Sequence, residues 1–179
     1  MGFHIAYAAF RNIEKAELLE RLGLRDTGET DPYHESPFSG GELSSGWYLI
    51  WSNDLMWGAD EEKFARLSVN CDVLVAIAEE TSMTFVASGF SAGRKVWSVV
   101  HDAQHSPRHL ESEGEMPPSF EEIRQRIAVL QNKENDADPY SVDYYASIPP
   151  EVFASVTQFK YDEMSSSGEE VNFTVLEKL

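Results

Sequence analysis

Residues 71–102 read CDVLVAIAEETSMTFVASGFSAGRKVWSVVHD, and the spacing of their apolar side chains decides the fold class. Val73, Val75 and Ile77 recur at every second position, the period that places side chains on one face of a strand. The pattern resumes over Thr84 to Phe90 and again over Val96 to His101. The segments between, Glu80-Thr81-Ser82 and Ser91-Ala92-Gly93-Arg94, have room only for tight turns, and Gly93 can take the positive φ that such turns need. This predicts three strands in an antiparallel meander. A fourth near Arg108 to Glu113 follows the Ser106-Pro107 turn.

Working outward, residues 3–10 are short, apolar and aromatic and predict another strand. Asn12 is placed to cap a helix whose apolar positions Ile13, Ala16, Leu19 and Leu22 follow the 3.6-residue period, with Gly23 as its stop. Residues 25–46 carry so many glycine, proline and serine pairs that they read as a long surface loop. Trp47 to Trp51 reads as a strand with Trp47 and Trp51 on one face, and Asp60 opens a helix that turns Phe64 and Leu67 inward. Ser119 and Glu122 have capping-box spacing before a helix carrying Phe120, Ile123, Ile127 and Leu130. After a polar connector at 132–141, Pro149-Pro150 opens a last helix through Val152, Val156 and Phe159. The expectation is an α+β domain over residues 1–164, an antiparallel meander of about four or more strands flanked by three to four helices. Residues 165–179 then form a linker and a C-terminal edge strand or tail, with Val171 to Leu176 as the strand.

The 179 residues hold 31 acidic side chains against 14 basic ones, a formal charge of −17. Nucleic acids and anionic lipids are bound by neutralising phosphate with Lys and Arg, so neither is expected as a direct ligand. The acidity is spread along the chain rather than gathered in a tail, with net charges of −6, −4 and −7 over residues 1–60, 61–120 and 121–179. A single cysteine, Cys71, leaves no internal disulfide framework, and the longest apolar run, Val73 to Ala78, is far short of the roughly 20 residues of a membrane span. No basic residue precedes the short apolar start, so a cytoplasmic protein without a leader is expected. Neither phosphate-binding glycine motif occurs, and no cofactor is expected.

Three strings invite chemistry. Gly89-Phe90-Ser91-Ala92-Gly93 matches the nucleophile elbow of α/β-hydrolases, which would make Ser91 the nucleophile with His101 and Asp102 as partners. An elbow must lead into a helix, however, and the residues after Gly93 alternate as a strand. The motif also wants acid and then histidine further along the chain, on a fold with many parallel strands. His101, His105 and His109 are spaced by four, as zinc ligands on one helix would be, but Ser106-Pro107 interrupts any such helix. Asp136, Asp138 and Asp143 lack the glycine and the final glutamate of a calcium loop. A small hydrolase-like or metal-dependent enzyme using Ser91 or the three histidines is thus the alternative to a protein-binding role. For binding, the aromatic density of residues 33–57 is the better signal. Tyr33, Phe38 and Trp57 fall in turn-rich sequence beside Asp31, Glu35 and Asp54, and aromatic anchors with a carboxylate rim suit a basic protein partner.

The segment Gly93 to Asp102, with Val142-Asp143-Tyr144, Ile148-Pro149 and Phe159-Lys160-Tyr161-Asp162, resembles small acidic bacterial proteins, some of which serve as immunity proteins beside polymorphic toxins. The resemblance spans about residues 70–162 and rests on structural residues, so it transfers no site. It implies an inhibitor that meets a basic toxin, for which a strong negative charge offers fast electrostatic capture.

Overall fold

The strand β1 (His4–Arg11) is buried along its six central residues because its sequence is apolar on both faces. Tyr7 and Ala9 point to one side, Ala8 and Phe10 to the other. It pairs antiparallel with β4 (Tyr48–Ser52) on one flank and β5 (Asp72–Glu79) on the other, so that Ala8 lies between Ile50 and Val75. Beyond β5 come β6 (Thr84–Ser91), β7 (Arg94–Asp102) and β8 (Glu111–Gly114). Beyond β4 come β3 (Phe38–Glu42), β9 (Thr174–Lys178) and β2 (Leu24–Thr30). The computed structural model describes residues 2–163 and 170–179. Among these residues, nine strands form one sheet in the order β2-β9-β3-β4-β1-β5-β6-β7-β8, each antiparallel to its neighbours.

Helices cover both faces. On the Phe10 side lie α1 (Lys15–Leu22), α2 (Leu55–Gly58) and α3 (Glu61–Leu67), whose Leu18, Leu19, Phe64 and Leu67 pack with Phe10, Ile50 and Val73. On the Tyr7 side lie α4 (Phe120–Gln131) and α5 (Ile148–Thr157), whose Phe120, Ile123, Ile127, Val152 and Phe153 pack with Tyr7, Trp51, Leu74 and Phe85. The fold is α+β, with an antiparallel sheet between two helical layers. The expected meander is one half of that sheet.

The other half departs from the sequence reading. Residues 25–46 contain β2 and β3 rather than a continuous loop. The glycines of β3 are not turn signals, because neighbouring side chains lie across them. A Cβ on Gly40 would collide with the Tyr48 hydroxyl, and one on Gly41 would stand 2.8 Å from Val171 Cγ1. The polar sequence of β2 fits its place as an outermost strand, where only Leu24 is buried. The C-terminal strand is not at an edge, since β9 pairs with β2 on one side and β3 on the other. The linker read from residue 165 onward lies, up to Glu169, outside the described residues.

Two caps also differ. Asn12 has φ +65° and gives its amide to Asp72, while Glu14 occupies the cap position of α1 without a side-chain hydrogen bond. Ser119 donates its hydroxyl to Ser155 instead of capping α4. Gly23 ends α1 with φ +66°, and the Asp60 carboxylate accepts from the Lys63 N–H at the start of α3.

The Gly-x-Ser-x-Gly string joins β6 to β7. Ser91 pairs with Arg94 across a two-residue turn whose central residues, Ala92 and Gly93, have φ +51° and +79°. Positive φ at both places is the signature of the type I′ hairpin turn. Gly89 serves a different need: it faces Trp97, whose indole lies over it so closely that a Cβ would collide with the ring. Gly89→Ala should therefore push this half-sheet out of register with its indole at an overpacking cost of about 1–3 kcal/mol. Urea unfolding checks this, and an unchanged midpoint would mean that the Trp97 ring is not seated on Gly89.

Candidate functional site

The structure does not bring Ser91 and His101 together. Ser91 lies at the turn end of β6, whereas His101 pairs with Phe85 near the far end of β7. Seven residue steps along β7 separate Arg94 from His101, about 23 Å of extended strand. His101 is fully buried with both ring nitrogens engaged, one 2.7 Å from the His109 carbonyl and the other 2.8 Å from the Asp143 carboxylate. Asp143 in turn accepts from Ala146 N–H and caps the 3-10 turn Tyr144–Ser147, so the pair docks that segment onto β7. His109 accepts the backbone N–H of Asp102 at 2.9 Å, and exposed His105 stacks on it with ring centres 4.8 Å apart. Among the described residues, no group of three or more His, Cys, Asp or Glu is arranged to hold a metal ion.

The binding residues proposed from sequence divide between the two faces. Tyr33 is 78% exposed, and Glu35 and Asp54 are exposed. Phe38 is buried in the Phe10-side core and cannot meet a partner. Trp57 is half-buried beside it, edge-on to Phe38 and Phe64, with the Lys63 ammonium 4.7 Å from its ring centre. That ring already holds an internal cation. Asp54 caps α2 by accepting from Met56 N–H.

Tyr33 borders a different feature on the Tyr7 side, a cavity of about 230 Å³ at the ends of β1 and β4. Its walls are aromatic: Phe3, His34, Trp51, Phe159, Tyr161 and Phe173. His34 stacks flat on Trp51 at 4.0 Å with 7° between the planes, and Phe173 meets His34 edge-on at 4.4 Å. Phe3 stands edge-on to Tyr161 at 5.2 Å. Asp162, Glu163 and Glu170 line the cavity as exposed carboxylates.

These rings are held by a polar scaffold behind them. Asp31, 5% exposed, accepts the N–H groups of Glu35 and Ser36 and gives its own N–H to the Phe173 carbonyl. The Asn53 amide donates to the carbonyls of His34 and Ser36, both at 2.8 Å, and its oxygen accepts the Trp51 indole N–H at 3.1 Å. One side chain therefore fixes both members of the stack. His34 has φ +53°, a left-handed conformation that a non-glycine residue keeps only when its surroundings impose it. Across the cavity, Glu80 accepts from the Tyr161 hydroxyl and from the Phe3 N–H, each at 2.9 Å.

The electrostatics separate wall from rim. Burial pushes the His34 imidazole below its ordinary range, with Asp31 opposing in part, so the ring is neutral at pH 7. Burial and the Glu80 carboxylate push the Tyr161 phenol well up, so it stays protonated. Lys160 is the adjacent cation, 3.1 Å from Glu163 and 3.9 Å from Asp162. The walls are uncharged and the rim is negative.

Sequence reasoning reached Tyr33 and Asp31 but not His34, Phe3, Asn53 or Tyr161. Phe3 and Tyr161 are 158 positions apart, so no local spacing could pair them. Comparison with known families, curated proteins and solved structures finds no match. No described helix is long and apolar enough to cross a membrane.

The roles of Ser91 and His101 can be separated by stability. His101→Ala leaves the Asp143 carboxylate without its buried partner and should cost about 3 kcal/mol. Ser91→Ala, at a hairpin end, should stay within about 0.5 kcal/mol. Urea denaturation of both variants checks the assignment, and a His101→Ala protein as stable as the wild type would contradict it.

Proposed function

We propose that the protein is a cytoplasmic binding protein for a basic protein partner, in its specific form an immunity-type inhibitor of a basic toxin. The observation that carries this reading is an aromatic cavity rimmed by exposed carboxylates in a chain of net charge −17. The two features play different physical parts. A large negative charge attracts a basic partner from a distance and raises the association rate. Aromatic side chains give a contact that can be desolvated and so slows dissociation. Tyr33 is the anchor this reading selects, because it is exposed at the mouth of the cavity, whereas Phe38 and Trp57 pack on the opposite face. A protein partner is favoured over nucleic acid or anionic lipid because phosphate would be repelled by this surface.

Binding kinetics with the product of the adjacent gene test the reading. The association rate should fall steeply between about 0.1 M and 1 M salt, as the Debye length shrinks from about 10 Å to about 3 Å. Dissociation should change far less with salt, but Tyr33→Ala should accelerate it about 30-fold, the equivalent of about 2 kcal/mol. Association indifferent to salt would remove steering from the account, and wild-type dissociation in Tyr33→Ala would remove the anchor.

A further inference from the structure

We infer that the cavity between His34, Trp51 and Tyr161 is a receptor for a single arginine side chain presented by the basic partner. The inference rests on the reading that such a partner exists, and adds what the cavity itself selects.

Size is the first argument. The cavity holds about 230 Å³, below the roughly 300–1,000 Å³ typical of sites for drug-sized ligands and cofactors. One long side chain is a better match. Charge is the second. Among the described residues lining the cavity none is Lys or Arg, and three are carboxylates, Asp162, Glu163 and Glu170. The nearby Lys160 pairs with Glu163 at 3.1 Å and lies at 3.9 Å from Asp162, and the rim keeps a net negative charge of three carboxylates against this one ammonium. An anion is excluded by this rim, and a neutral apolar group would leave the carboxylates idle.

The walls then discriminate among cations. They are flat rings, and the one described wall residue able to carry a positive charge, His34, is held toward its neutral form by burial against Trp51. A cation is attracted to aromatic faces by their quadrupoles, and more strongly where water is displaced. Guanidinium is planar and weakly hydrated, so it stacks on rings and enters such a space readily, whereas the ammonium of lysine is a compact and strongly hydrated charge. Guanidinium also offers a fork of donors that carboxylates can accept in pairs. Tyr161 cannot compete for those carboxylates, because its hydroxyl is committed to Glu80. The cavity is also ready in advance. Asn53 and Asp31 fix the loop that carries His34, so little ordering cost remains for the incoming side chain.

The experiment uses the full chain at low salt and follows the Trp51 indole N–H by two-dimensional NMR, assigned by its loss in a Trp51→Phe variant. Nα-acetyl-arginine methylamide is titrated beside its lysine and citrulline counterparts. The arginine compound should shift the Trp51 signal saturably, with a dissociation constant on the order of 1 mM. The lysine compound should bind several-fold more weakly, and neutral citrulline at least tenfold more weakly. Asp162→Asn combined with Glu170→Gln, two exposed positions that leave the core intact, should weaken arginine binding about tenfold. No saturable shift of Trp51 with the arginine compound would overturn the proposal, as would citrulline binding equally well. Lysine binding as tightly as arginine would overturn the choice of guanidinium. The arginine compound should also compete with the basic partner. A partner that binds with steep salt dependence but is not displaced would sink the arginine receptor while sparing the broader reading, whereas absence of any partner binding would sink the broader reading.

Discussion

The structure depends on β1 being apolar on both faces and paired on both edges. A strand so placed can exist only if something covers each face, and the chain supplies α1 to α3 on one side and α4 and α5 on the other. The alternation along β1 divides the two cores residue by residue, with Tyr7 and Ala9 entering one and Ala8 and Phe10 the other. The strands on either flank obey the same division through their antiparallel registers with β1. A register slip of one residue would send every side chain of β1 into the wrong core.

The candidate site follows from where that arrangement runs out. Phe3 precedes β1 and Trp51 lies near the end of β4, so the Tyr7-side core opens there instead of closing under a helix. Aromatic side chains from the loop before β3, the segment after α5 and the residues before β9 complete the walls. Their backs are tied by groups that are themselves satisfied, Asp31 to three backbone partners or segments around it and Asn53 to two carbonyls and an indole. A buried polar group such as Asp31 costs least when its partners are present, and with the exposed Asn53 it holds the rings in place from behind the walls. The negative charge is left at the rim, where solvent screens it but a cation can still feel it.

How much of this was legible in the sequence depended on whether the deciding contact was local. The meander from Asp72 to Asp102 was readable because each strand meets the next across a short turn, and the alternation of Val73, Val75 and Ile77 needs no distant partner to be seen. Helices α3 to α5 were readable for the same reason. By contrast, β3 looked like loop because Gly40 and Gly41 make room for Tyr48, Val171 and Leu176, and the last two come from the far end of the chain. The position of β9 between β2 and β3 likewise joins segments about 150 residues apart. The Gly-x-Ser-x-Gly string was legible as a hairpin, but the need for Gly89 under Trp97 appears only once the register is known. At the site, exposed Tyr33 was found from its turn-rich context, while Phe38 and Trp57 shared that context and yet belong to the opposite core. His34 carried no signal at all, because its role comes from Trp51 beneath it and from Asn53 behind it.

The account stands on a cavity whose walls remain uncharged at neutral pH while its rim is negative, and His34 is the wall residue on which that claim can fail. Burial against Trp51 favours the neutral ring, so its protonation is shifted to lower pH in the folded protein. The unfolded chain then binds a proton that the folded one resists, and stability attributable to His34 is present above the unfolded midpoint and declines as pH falls through it. Titration of the His34 ring by NMR in the folded protein is the direct measurement. The predicted result is a midpoint below the roughly 6.5 of a free imidazole, accompanied by a shift of the Trp51 indole signal over the same range. A midpoint above about 7 would leave the ring mostly cationic inside the cavity at neutral pH and contradict the account.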